Sequence, residues 1–266
     1  MNRFLAIYYG DNSEKVGPLR SGRLVDAQLA TLYQGLFAYG NADPKVEKVL
    51  LADLGECALA WKRVPCPPVC GKTRDTVSGM FVDSGGVTEF AISKGVDNTA
   101  PDLNSMVFIQ KPPDGDSKGN MVHIEYAIDS IMEWHYLPSS ERYQLWSDTI
   151  YKQATTTPMI DRNNGQEIIF ENLVVMYAEY VEYAPMLHDI FIQNIVDPQP
   201  AFLFRDGVMV NATWRVDEPD RPIVFETLEG ESLAFKPGRT WFVIVGLSSE
   251  MKEIQDGSWW VNFELP

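Results

Sequence analysis

Residues 201–214 read AFLFRDGVMVNATW, and this stretch decides the fold. Two strand-forming runs flank Asp206-Gly207. That pair tolerates positive φ at both positions and so favours a two-residue type I′ hairpin turn. Working outward, PIVFETLEGESLAF (222–235) repeats the pattern and RTWFVIV (239–245) adds another strand. Trp214 and Trp241 fall on these strands and are predicted to be buried. Upstream, DRNNGQE (161–167) supplies an Asn164-Gly165 turn before the long run IIFENLVVMYAEYVEY (168–183). VHIEYAI and MEWHYL pair around an Asp129-Ser130 turn, RYQLW (142–146) is a further short strand, and the tail SWWVNF reads as one more.

The N-terminal part has a different grammar. RFLAIYYG (3–10) is continuous, apolar and aromatic, which predicts a buried strand. SGRLVDAQLATLYQGLFAYG (21–40) carries apolar residues at helical spacing, with Ser21 placed as N-cap and Gly40 as the stop. PKVEKVLLADL (44–54) starts a second helix on Pro44 and ends near Gly55. Residues 62–120 look irregular, with short strands near SGMFVD and MVFIQ. KPPDGDSKGN (111–120), rich in Pro, Gly and Asp, marks the boundary. The expectation is an α+β chain: an α/β N-terminal domain with a mixed sheet (1–115) and an antiparallel β C-terminal domain (121–266).

Composition narrows the function classes. With 266 residues, 45% hydrophobic and 12% aromatic, the chain is neither disordered nor a coiled coil. No run of about 18 apolar residues exists to span a membrane. Residues 1–120 hold 13 basic against 14 acidic side chains, while residues 121–266 hold 9 against 23. So acidic a C-terminal half would repel a phosphate backbone, which disfavours nucleic acid and anionic membrane surfaces.

The motifs mostly dissolve under their own requirements. Gly71-Lys72-Thr73 lacks the glycine five residues earlier that a phosphate loop needs; Cys66 stands there. Asp114–Glu125 has Asp at positions 1 and 3, Gly at 6 and Glu at 12 of a calcium loop, but Lys118 at position 5 puts a cation where an oxygen ligand belongs. His123, His135 and His188 show no zinc-protease spacing, and His123 and His135 alternate with apolar residues like structural histidines. Nothing calls for a cofactor or a metal. Cys57, Cys66 and Cys70 allow one disulfide, Cys66–Cys70 or Cys57 with either, or three reduced thiols. The segment KVGPLRSGR stands out: Arg20 and Arg23 bracket a helix start at Ser21, against the helix dipole. Free amides with two guanidiniums would suit a carboxylate or phosphate ligand, and an internal ion pair with Asp26 or Asp43 is the alternative.

RFLAIYYGDNSEKVGPLRSGRLVD resembles the signature of the YerB-like family, predicted bacterial lipoproteins whose defining domain has no known function. AFLFRDGVMVNATWR followed by PGRTWFVIV resembles the family's closing module, with Asp206, Gly207, Trp214, Pro237, Gly238 and Trp241 at matching positions, and Gly165 with ENLVVM fits between. Members usually carry a lipoprotein signal and a further N-terminal segment, so this chain reads as N-terminally truncated, and it has no lipobox cysteine. Two family histidine positions are taken by Tyr39 in Tyr39-Gly40-Asn41-Ala42 and by Asp102 in Ala100-Pro101-Asp102-Leu103-Asn104, which leaves Arg20, Ser21 and Arg23. The resemblance implies an extracytoplasmic protein of the bacterial cell envelope. The leading expectation is a non-catalytic binding or scaffolding module, with an anionic small molecule or envelope polymer at Arg20, Ser21 and Arg23. An envelope hydrolase or transferase using those arginines with Asp83 or Asp102, and an assembly subunit self-associating through an N-domain sheet edge beside Arg3–Tyr9, are the alternatives.

Overall fold

The computed structural model describes residues 4–71, 79–102, 105–127, 130–148, 155–184 and 187–265. Lys72, Thr73 and the Asp129 turn position lie outside the described residues. The fold is α+β and mostly β. The hairpin forms as its sequence dictates: Gln199–Arg205 pairs with Val208–Arg215 in register Arg205↔Val208, and Asp206 (φ 53°) and Gly207 (φ 79°) both adopt the left-handed turn geometry.

Everything else is layered on the long strand Asn172–Ala184. It pairs antiparallel with Gln199–Arg205 and with Leu187–Phe191, and parallel with Thr240–Gly246, inside a seven-stranded sheet. Its side chains alternate between two cores. Val174, Met176 and Ala178 face one, with Leu203, Val210 and Trp214. Leu173, Val175 and Tyr177 face the other, with Phe204, Val243 and Val245. A strand buried on both faces reads as a continuous apolar run, as this one does.

The second core is closed by another seven-stranded sheet, in which Met121–Ala127, Ser130–Leu137 and Arg142–Asp148 form an antiparallel meander. The tail supplies a hairpin to it, Glu250–Gln255 with Ser258–Asn262, and the latter pairs parallel with Met121–Ala127. Two parallel pairings thus sit in sheets that are otherwise antiparallel. Trp214 is buried at 1% exposure, whereas Trp241 is partly buried, packed against Trp134 and Phe170.

In the N-terminal region, α1 (Leu24–Leu32) is shorter than its apolar spacing suggested. It ends where Gln34 turns left-handed and Gly35 donates back to Ala30 O at 2.9 Å, and Phe37–Tyr39 becomes a strand parallel to Ala58–Ala60. The second helix, α2 (Pro44–Leu54), is capped by Asp43 and stops at Gly55, as expected. A third, α3 (Ser84–Ser93), stands in the stretch that looked irregular; the Asp83 carboxylate caps it through Gly86 N at 3.1 Å. The apolar faces of α1 pack on the first core through Leu32, Val25, Leu29 and Tyr33.

Phe4–Tyr9 corrects the buried-strand expectation. It forms no strand, and Phe4, Ile7, Tyr8 and Tyr9 are each at least 46% exposed. A continuous apolar run becomes a buried strand only beside a neighbour, and none of the described strands runs along it. SWWVNF is engaged on both sides by its own sheet and does not cover it.

One buried polar network fastens the sheets to the irregular segments. The Arg205 side chain is fully buried, and all its donors are used. Nε reaches Asp206 Oδ2 at 2.7 Å, Nη1 donates to Ile109 O and Ala234 O, and Nη2 donates to Gln110 O and Lys111 O. Asp206 also receives Lys236 Nζ at 2.6 Å. Asn172, at the head of the long strand, exchanges two 2.8 Å hydrogen bonds with the Lys236 backbone. Glu171 accepts the Arg239 N–H at 2.6 Å and fills the space at Gly238, where a Cβ would lie 2.4 Å from it.

Arg205→Met leaves four carbonyls without their donor and takes from Asp206 one of its two cationic partners. It should destabilise the fold by about 3–5 kcal/mol, read by urea unfolding at neutral pH. A cost below about 1 kcal/mol would show that the network does not hold these segments. Cys66 and Cys70 form a disulfide with Cα atoms 4.8 Å apart, and Cys57 is free. Thiol titration of the denatured, unreduced protein should find one thiol per chain, rising to three after reduction.

Candidate functional site

The segment 17–23 is set by backbone pairing more than by a helix start. Leu19 N donates to Met80 O, Gly40 N to Arg20 O, and Gly22 N to Asn41 O, each at 2.8 Å. Ser21 is therefore extended between two strands and does not cap α1, which corrects that expectation. The N-cap is Arg23, whose backbone N–H donates to the Asp26 carboxylate at 2.7 Å. Gly22 has no room for a side chain, because a Cβ would lie 2.8 Å from Leu50.

Arg23 lies on the wall of a cleft of about 270 Å³. Three separated parts of the chain build it: Arg23 and Val25 at the start of α1, Tyr180 with His188 and Ile190 on neighbouring strands, and Phe263 and Leu265 of the tail. The junction is held by Gln28 of α1. Its Nε2 donates to Ile190 O at 2.9 Å and to Asp189 Oδ1 at 3.1 Å, and its Oε1 accepts from Ile192 N and Gln193 N. Burial pushes the Asp189 carboxyl up, against the hydrogen bonds from Ile190 N and Gln28.

The lining is mostly apolar. Tyr180 spends its hydroxyl on Ile244 O at 2.9 Å, and burial raises its pKa, so its ring acts as an apolar wall. Phe263 meets the rings of Tyr180 and Tyr126 edge-on. On the opposite strand, Glu182 stands in register with His188. The Arg23 side chain makes one hydrogen bond, from Nη1 to Gly22 O at 3.3 Å, and no carboxylate among the described residues forms an ion pair with it or with Arg20. Of the three residues the sequence singled out, Arg23 lines the cleft, and Arg20 and Ser21 do not. Asp83 is the α3 cap, and Asp102 pairs with Arg221 at 3.1 Å; neither is bonded to Arg20 or Arg23.

Residues 1–59 match the N-terminal domain, and residues 122–242 the C-terminal domain, of the "Protein of unknown function (DUF3048)" family. The chain belongs to the DUF3048 family. One DUF3048 relative is "Putative lipoprotein YerB" of Bacillus subtilis (strain 168), 22% identical over 257 residues that span 92% of this chain and 71% of the relative. The crystal structure of the Bacillus subtilis YerB protein superposes with a TM-score of 0.70 at 21% identity, over 90% of this chain and 77% of that one. The cleft thus has one wall, Arg23 and Val25, in the matched N-terminal domain and a second in the matched C-terminal domain.

A second polar cluster, outside the cleft, was not foreseen as a unit. Glu133 accepts His123 Nδ1 at 2.8 Å, His135 Nε2 at 2.9 Å and the Thr156 hydroxyl at 2.8 Å. His123 stacks on Trp260, and His135 leans on Trp146. The signal was His135 two residues beyond Glu133, and so on the same face, with His123 directly across the strand pair from Glu133. Hydrogen bonds from His123, then His135 and Thr156, hold the Glu133 carboxyl well below the usual carboxylate range despite burial. A depressed folded pKa contributes stability above the unfolded value of about 4.3, lost as pH falls through the folded one. Glu133→Gln should therefore be less stable than the parent at pH 7, with the gap narrowing below about pH 4, in denaturant melts across pH. A gap independent of pH would show that the ionised carboxylate is not what matters.

Proposed function

We propose that this DUF3048 chain is a non-catalytic binding module of the bacterial cell envelope that takes an anionic ligand at Arg23. One observation carries the reading: a guanidinium without a carboxylate partner among the described residues lines an apolar cleft at a three-way junction of the chain. Ligand sites favour such concave, mostly apolar junctions with a few polar groups. An envelope position is supported by the lipoprotein name of the Bacillus subtilis relative and by the Cys66–Cys70 disulfide, which persists in oxidising compartments. No helix among the described residues is long and apolar enough to cross a membrane.

Self-association is the second reading, favoured by the exposed, unpaired Phe4–Tyr9 segment, which offers backbone and apolar side chains to another strand. Light scattering decides it, a monomer at all concentrations counting against.

The anion reading is tested by thermal melts with and without inorganic phosphate, on the parent and on Arg23→Gln. Phosphate at 100 times its dissociation constant stabilises by about 2.7 kcal/mol, a rise of several degrees. The rise should vanish in Arg23→Gln, which melts like the parent in the absence of phosphate. A variant strongly destabilised without any anion, in a background where phosphate has no effect, would make Arg23 a structural residue.

A further inference from the structure

We infer that the cleft takes a single-chain anionic amphiphile: an apolar tail against Val25, Ile190, Phe263 and Leu265, and a carboxylate or phosphate monoester at Arg23. This rests on the reading of the Arg23 cleft as a ligand site and names what that ligand must be. Three features of the cleft lead there.

The first is the imbalance of its walls. A site for a bare inorganic anion presents several convergent donors, as helix N-termini and backbone nests do. Here the one tyrosine spends its hydroxyl on Ile244 O, and Phe263 presents ring carbons. Arg23 and His188 are the basic side chains on the wall, so a ligand filling the space is apolar over most of its length and charged at one end.

The second is size. A cavity of about 150 Å³ accommodates benzene, so 270 Å³ corresponds to roughly eight to ten carbons held within the cleft, the length of a medium acyl chain.

The third is charge. Arg23 has guanidinium N–H groups to spare, and a planar fork suits a carboxylate or phosphate over a neutral head. Glu182 stands in register with the cleft residue His188 on the neighbouring strand, so its carboxylate favours one negative charge at Arg23 over several. Leu265, 48% exposed, leaves the tail side of the cleft accessible.

The test is calorimetric titration of the full chain with hexanoate, octanoate and decanoate below their micelle concentrations, with octyl phosphate, octanol and inorganic phosphate as comparisons. Affinity should rise roughly three- to fourfold per added methylene up to the filled length. Octyl phosphate should bind with octanoate, and octanol more weakly than both. Arg23→Gln should cost octanoate about tenfold or more while leaving octanol unchanged. Leu265→Glu, on an exposed side chain that the fold does not need, should cost octanoate more than tenfold through charge repulsion and lost apolar contact. Phosphate binding through Arg23 with no gain from any chain would overturn this inference and leave the anion reading standing. Octanol binding as tightly as octanoate, with Arg23→Gln silent, would overturn both, as would no binding by any of the six.

Discussion

A buried guanidinium is the constraint on which the rest of this structure depends. Arg205 ends one arm of the central hairpin, and its donors reach the carbonyls of Ile109, Gln110, Lys111 and Ala234. Those carbonyls belong to segments with little regular structure of their own, whose backbone acceptors need partners away from water. One side chain supplies them, at the cost of burying a charge that Asp206 neutralises; Lys236, on the same carboxylate, is balanced in turn by Glu141. The stretches Arg205-Asp206-Gly207 and Lys236-Pro237-Gly238-Arg239 are thus two ends of a single polar knot. Gly207 is part of it sterically, since a Cβ there would meet the Tyr136 ring at 2.6 Å.

Around the knot, the long strand Asn172–Ala184 organises two apolar layers, with α1 outside one and the second sheet outside the other. The Arg23 cleft, the proposed ligand site, lies at the periphery of this arrangement, beyond the well-packed centre. It is held together by Gln28 of α1, whose four hydrogen bonds lock the helix to the strand Leu187–Phe191 and its continuation. Packing alone would fix the layer spacing; the amide fixes which residues of helix and strand stand opposite each other.

Most of the sheet was legible because strands announce themselves locally. Asp206-Gly207 specifies its turn through φ alone, and Pro44 with Gly55 punctuates α2 in the same way. The failures share a cause: the deciding partner was distant in sequence. RFLAIYYG has every local mark of a strand, yet none of the described strands runs beside Phe4–Tyr9, and Phe4 meets the Trp241 ring edge-on. Ser21 is a good cap in isolation, but Gly22 and Gly40 pair with residues 41 and 20 and draw it into an extended ladder. The helix α3 was hidden by its two glycines, Gly85 and Gly86, although Asp83 caps it; Gly86 is kept small by Pro68, 2.7 Å from where its Cβ would be. At the candidate site, Arg23 could be picked out as a cation in an unfavourable place. Tyr180, His188, Ile190, Phe263 and Leu265 could not, since nothing in one dimension links residues 23, 188 and 263.

The parallel strand Ser258–Asn262 sits between Glu250–Gln255 and Met121–Ala127, inside its sheet. Between the two parallel partners in sequence lies nearly all of the other sheet. The meander that begins at Met121 therefore keeps an open edge until a segment made long afterwards arrives to close it. Such non-local closure slows folding and leaves an adhesive edge exposed in the meantime. For this chain the assembly order matters as much as the final contacts. The second sheet cannot be finished before the first has been threaded, so a chain interrupted anywhere between them retains a sticky border that only its own distant tail is shaped to seal.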